Sequence, residues 1–148
     1  MEGSIKAVLF IVLCLITGCA TVPLAPVESD IKAKAFEVQA SKSNIYLYRN
    51  EIIGSAITMP IGLDGSISGK TSSKTYFMWV VEPGEHEISS YTENTAKIVI
   101  DAKPGKNHFV WQEVKMGVWA PRSKLHEVSE DVGRKGVLEC KLIQPEPK

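Results

Sequence analysis

From Asn44 onward, apolar and β-branched residues recur at every second position, and turn-forming residues interrupt the pattern at short intervals. A period of two puts alternate side chains on opposite faces of an extended strand, so this part of the chain reads as sheet. Strands are expected near residues 44–49, 53–58, 61–63, 75–81, 86–91, 96–101, 107–114 and 124–127. Asp64-Gly65 suits a tight hairpin, while Pro83-Gly84 and Pro104-Gly105 each put a fixed negative φ before a residue free to take a positive one. Turns of this kind are expected to join antiparallel neighbours. Glu82-Pro83-Gly84-Glu85-His86 and Lys103-Pro104-Gly105-Lys106-Asn107 are read as two hairpins of one sheet that share turn chemistry, because their flanks do not repeat.

Short strands with no long helix between them point to a mainly β fold. The expectation is an antiparallel β-sandwich, immunoglobulin- or prealbumin-like, of about seven strands. Short helical segments are expected near 29–40, where Ile31, Ala35 and Val38 fall at helical spacing after Ser29 or Asp30, and near 129–137. In the second, Ser129-Glu130-Asp131 can start a helix that Gly133 and Gly136 each weaken by about 1 kcal/mol relative to alanine. The chain divides into a leader (1–18), a tether (19–43), a β domain (44–143) and a solvated tail (144–148).

The leader begins with one basic side chain, Lys6, and continues as an apolar run from Ala7 to Ile16. That order is a secretory signal, and a run stopped by Thr17 and Gly18 is shorter than the roughly 20 residues a spanning helix requires. Ile16-Thr17-Gly18-Cys19 resembles the lipobox of bacterial lipoproteins. The resemblance implies cleavage between Gly18 and Cys19 and a diacylglyceryl thioether on Cys19. With an amide-linked chain such as palmitate added, the anchor is effectively permanent, since each buried methylene contributes about 0.8 kcal/mol. Ala20 follows where an aspartate tends to retain such proteins in the inner membrane, so the resemblance implies the outer membrane, facing the periplasm, in a cell that has one.

Lys plus Arg and Asp plus Glu number 17 each, and neither sign gathers into a long block. This argues against a nucleic-acid partner and an electrostatic membrane patch. Of the 3 cysteines, Cys14 leaves with the leader and Cys19 takes the lipid, so Cys140 has no partner within the chain. It is either buried or pairs between chains, and its alternation with Leu138 and Leu142 favours burial.

Residues that could carry chemistry are few. His86, His108 and His126 fall on different expected strands, so nothing in their spacing requires them to converge on a metal. His86, just after a Pro-Gly turn, is expected to hydrogen-bond the hairpin or face water. Ser66, Ser68, Ser72, Ser73, Ser89 and Ser90 lie in no nucleophile elbow or Ser-x-x-Lys start. Glu82, Glu85, Glu87 and Glu113 read as solvated edge charges. No catalytic residue, cofactor or metal is expected.

In the strand near 75–81, Tyr76, Met78 and Val80 share one face and Phe77, Trp79 and Val81 the other, so either both faces are covered or one is a contact patch. Core packing is the favoured reading. Trp79, Trp111 and Trp119 are kept as a candidate interaction surface, with Tyr91 beside them.

Residues 44–143 also resemble a family of uncharacterised bacterial lipoproteins that share a small β-sandwich domain of unknown function. The resemblance rests on Ile45-Tyr46-Leu47-Tyr48-Arg49, Gly54, Leu63-Asp64-Gly65 with Gly69, Tyr76-Phe77, Val81-Glu82-Pro83-Gly84-Glu85-His86, and Val110-Trp111-Gln112-Glu113 with Gly117. At 71–74, Thr-Ser-Ser-Lys stands where a glycine turn is expected. The family supplies no catalytic residues. The expected function is therefore a lipid-anchored envelope protein with a non-enzymatic structural or interaction module, its partner an envelope protein or peptidoglycan. A glycan-binding module using exposed aromatics is the alternative, and a hydrolase or metal-dependent enzyme a third reading.

Overall fold

Every residue of strand β1 (Ser43–Arg49) is buried. A strand covered on both faces must sit centrally in a sheet, with a layer packed on each side. A computed structural model describes residues 21–146, and in it β1 lies between β4 (Thr75–Val81), which runs antiparallel to it, and β7 (Asn107–Lys115), which runs parallel. β8 (Arg122–Val128) pairs with β7, and the two-residue β9 (Lys141–Leu142) pairs with β4, giving the order β8-β7-β1-β4-β9. The second sheet has the order β3-β2-β5-β6, from β2 (Met59–Leu63), β3 (Ser66–Thr71), β5 (Gly84–Tyr91) and β6 (Thr95–Ala102). The fold is thus the expected β-sandwich, with nine strands among the described residues where about seven are expected, and antiparallel except at the β1–β7 and β4–β9 pairs.

Alternation along β1 serves two cores. Ile45 and Leu47 face the second sheet and meet Phe77, Val110, Ile61, Ile88 and Ile100. Tyr46 and Tyr48 face the other way and join Tyr76 and Phe109 beneath helix α1 (Val27–Ala33), Phe36 and helix α2 (Glu130–Leu138). The aromatic strand β4 is therefore core on both faces: Phe77 turns to the sheets and Tyr76 to the helices. Asp30 of α1 fastens this layer, since its Oδ1 accepts the Tyr76 hydroxyl at 2.9 Å and the Leu142 N–H at 2.9 Å, and its Oδ2 accepts Lys34 Nζ at 2.8 Å. Burial opposes ionisation of Asp30, but these donors outweigh it and hold its pKa below the ordinary value.

The segment expected as a tether is part of this layer. Leu24 bridges Ile143, Gln144 N–H donates to Pro23 O, and Ala33 and Phe36 are buried. Residues 144–146, expected as tail, are also engaged, with Glu146 N–H donating to Ser68 O. The leader, Gly18 and Cys19 lie outside the described residues.

Turn chemistry fixed reversals but not partners. Asp64 and Gly65, at φ 50° and 80°, form the two-residue hairpin between β2 and β3. The two Pro-Gly turns, expected as hairpins within one sheet, instead carry the chain between sheets, from β4 to β5 and from β6 to β7. β4 is already flanked by β1 and β9, and β7 by β1 and β8, so neither has a free edge for its sequence neighbour. At 71–74 no glycine is needed, because Lys74 itself takes φ 59° while the Thr75 hydroxyl accepts Ser72 N–H and donates to Ser72 O.

Three strand assignments change. Where a strand is expected at 53–58, residues 53–56 form turns and 57–58 no regular element; residues 66–71, outside the expected strands, form β3; and Lys141–Leu142 adds the short β9. A register shift at Ile61/Gly62 and an exposed Ile67 blur the alternation in β3.

Candidate functional site

The loop 50–58 is organised from beneath by Arg49, the largest of the fully buried side chains and 0% exposed. The register of β1 puts Arg49 on the inner face with Ile45 and Leu47, but at the sheet's end, where the guanidinium reaches the loop backbone. Nη1 donates to Ile57 O at 3.1 Å, and Nη2 donates to Gly54 O and, at 3.5 Å, to Ile53 O. Those carbonyls are thereby withdrawn from strand pairing, which is why 53–58 forms no strand. Gly54, at φ 72°, lets the backbone close on the guanidinium, since a Cβ there would stand 3.1 Å from Nη2. Burial lowers the Arg49 pKa and the Glu51 carboxylate opposes that; the guanidinium remains protonated. Glu51 joins the loop to β7 through Val114 N–H at 2.8 Å.

Beside Arg49 a polar cluster crosses between the sheets. Gln112 of β7, also 0% exposed, accepts the Thr71 hydroxyl at 2.6 Å and donates Nε2 to Ser90 Oγ at 2.7 Å. Ser123 Oγ of β8 lies 2.8 Å from the same Ser90 oxygen. Four strands are joined here by side chains that satisfy one another, which fixes their register at this end. Ser90 is thus consumed by packing, and Ser68 accepts Trp79 Nε1 at 3.1 Å.

The 3 histidines are held apart, each by its own partner. His86 donates Nδ1 to Asp64 Oδ2 at 2.6 Å and Nε2 to Glu82 O at 2.8 Å, tying the Pro83-Gly84 turn to the Asp64-Gly65 hairpin. Burial disfavours its charge, but the carboxylate and the carbonyl together raise its pKa above the ordinary value. His108 Nε2 accepts Lys103 N–H at 3.0 Å. His126 stacks on Trp111 with centroids 5.1 Å apart and meets Glu113 at 2.8 Å. Lys115 and His126 hold the Glu113 carboxyl below its usual range, so it is an anion in an ion pair rather than a proton donor. Cys140 is buried, and desolvation pushes its thiol up to about 12.

The tryptophans do not converge. Trp79 stacks on Phe77 at the border of the inter-sheet core, with centroids 5.6 Å apart. Trp111 borders the helix-covered core on the opposite face of the same sheet. Trp119 stands 92% exposed in the loop between β7 and β8. The sequence marked all three aromatics but not Arg49 or Gln112; the available signal was a charged or amide residue standing in phase with inward apolar positions, Arg49 after Leu47 and Gln112 after Val110.

Known proteins place the chain without naming a chemistry. A relative from Haemophilus influenzae (strain ATCC 51907 / DSM 11121 / KW20 / Rd), described as an uncharacterized protein, is 34% identical over 130 residues, covering 86% of this chain and 77% of the relative. No solved structure matches the chain. The family model described as protein of unknown function (DUF2846) matches residues 39–124, which span the buried Arg49, its Gly54 loop, the Ser90–Gln112 cluster and both Pro-Gly crossings. On that match, over more than half its length, the chain belongs to this family of proteins of unknown function.

Proposed function

We propose that the chain is a lipid-anchored protein of the bacterial cell envelope whose β domain is a non-enzymatic structural or protein-interaction module. The observation that carries this reading is Leu15-Ile16-Thr17-Gly18-Cys19 closing an apolar leader, with Leu24 a few residues on already bridged to Ile143. The anchor belongs to the outer membrane, facing the periplasm, where the cell has one. Tethering raises the local concentration of the domain for an envelope partner without tight intrinsic affinity. A non-enzymatic role draws support from how the polar groups are used: the Nη atoms of Arg49, Gln112, Ser90 and the histidines bond neighbours within the fold. A peptidoglycan-binding reading draws its support from Trp119, since Trp79 and Trp111 border the cores.

Replacing Cys19 by serine is the test. The expected outcome is loss of the acyl mass from the N-terminal peptide and loss of membrane retention in fractionated cells. A wild-type N-terminal peptide without acyl mass would overturn the reading. Titration with peptidoglycan fragments, followed by tryptophan fluorescence, tests the second; an unchanged spectrum at high ligand concentration rejects it.

A further inference from the structure

The loops at the Arg49 end carry apolar side chains that nothing in the described residues covers. Ile52 and Ile53 are 73% and 61% exposed, and Met116, Val118 and Trp119 are 80%, 79% and 92% exposed. Both loops lie at one end of the sandwich, since β1 and β7 run parallel and Glu51 bonds Val114 at the close of β7. At the opposite end the turns at 64–65, 82–83 and 103–106 hold none of the exposed large apolar residues and carry instead the Lys42–Glu82 and Asp64–His86 pairs. The two ends differ in kind.

This exposure is built into the backbone. Glu93, in the turn between β5 and β6, accepts Ala120 N–H at 3.1 Å and the Arg122 guanidinium at 3.0 Å. A Cβ on Gly117 would stand 1.9 Å from Ala120 O and 2.6 Å from Glu93 Oε2, so the loop is wound too tightly for any other residue. The clamp holds the loop's backbone while its apolar side chains stay outside. Two carboxylates beside it are ion-paired, Glu93 with Arg122 and Glu113 with Lys115, while Glu51 accepts the Val114 N–H.

The chain enters the fold at this end. Thr21 lines a cavity of about 390 Å³ together with Ser55 of the Arg49 loop and Ser72 and Ser73 of the turn before β4. Cys19 is two residues earlier, and two extended residues reach at most about 7 Å. On the lipid-anchor reading, Thr21 at this end is held within that distance of the lipidated residue.

We propose that the loop end formed by residues 50–58 and 116–121 seats on the bilayer that holds the anchor, with Trp119, Val118 and Met116 in the interfacial layer and Ile52 and Ile53 beside them. Tryptophan suits that layer because its ring is apolar and its N–H is wet. The proposal rests on the lipid-anchor reading and adds an orientation: the charged turns at the opposite end face away from the membrane, toward any partner.

The test uses the full chain, expressed in a bacterial host with its own N-terminal processing and reconstituted into phosphatidylethanolamine–phosphatidylglycerol vesicles with brominated acyl chains. Tryptophan emission is expected to be quenched relative to unbrominated vesicles, and Trp119→Phe to abolish that loss, because Trp79 and Trp111 are packed against the cores. Mass spectrometry of the N-terminal peptide is read on the same sample. Acylated protein with unquenched Trp119 overturns the docking and leaves the anchor standing; unacylated protein that is still quenched supports the docking and overturns the anchor; neither signal overturns both. A blue shift of Trp119 emission that grows with protein concentration without vesicles assigns the loops to contact between copies and overturns the bilayer as their occupant.

Discussion

Gly136 of α2 rests directly on the ring of Tyr48, where a Cβ would stand 2.1 Å from Cε2. Gly133, one turn earlier, rests in the same way on Phe109, at 2.1 Å from Cγ. The helix presents bare backbone to the aromatic face of the sheet, so the glycines that lower its intrinsic propensity are what allow it to dock. Gly136→Ala gains about 1 kcal/mol of helix propensity but forces the helix off the ring, and overpacking of this kind costs about 1–3 kcal/mol. The expected result is a lower urea midpoint for the alanine variant; a higher one would show that α2 does not depend on this contact.

Arg49 holds the loop 50–58 by its carbonyls, and the loop has no strand partner of its own. Arg49→Met keeps most of the volume and removes the donor from the Ile53 and Ile57 carbonyls, each at a cost of about 1–3 kcal/mol where water does not replace it, while Gly54 O keeps the Ile57 N–H. The variant should unfold at lower denaturant concentration, with the loop becoming the first site of limited proteolysis. Wild-type resistance in the loop would count against this role.

His86 is charged most readily in the folded protein, because its ring lies between the Asp64 carboxylate and the Glu82 carbonyl. A pKa raised on folding means that stability from this pair is fully present below the unfolded histidine value and is lost as pH rises through the folded one. Stability measured at about pH 5.5 and about pH 9 should therefore differ in favour of the lower pH through this group. Asp64→Asn should shrink the difference; an unchanged profile would remove His86 from the account.

Cys140 is buried against the Arg49 backbone, with its Sγ 3.6 Å from Arg49 O, and desolvation disfavours the thiolate. A thiol reagent should modify the native protein only at the rate of unfolding, and promptly in denaturant. Rapid native modification would contradict the burial.

Much of the strand set was legible because alternation is local: 75–81 reads as a strand with two apolar faces, and β4 occupies those residues. Asp64-Gly65 was legible for the same reason, since positive φ at two successive residues is a property of the pair itself. The segment 53–58 misleads because its apolar residues alternate, yet Arg49, several positions earlier, takes its carbonyls. Residues 19–43 are expected as a tether, and for the described part of that segment contacts with Tyr76, Leu142, Ile143 and Phe109 make it a layer of the fold.

The sequence by itself determined the strand periodicity and the hairpin at Asp64-Gly65. Tertiary structure decided that both Pro-Gly turns cross between sheets, that β1 and β7 run parallel, that a charged arginine closes one end of the core, and that two helix glycines serve as a docking face. The physical division is one of range. Backbone dihedrals and side-chain alternation act over a few residues, whereas strand partners and buried polar contacts depend on which distant segments already occupy each edge and face.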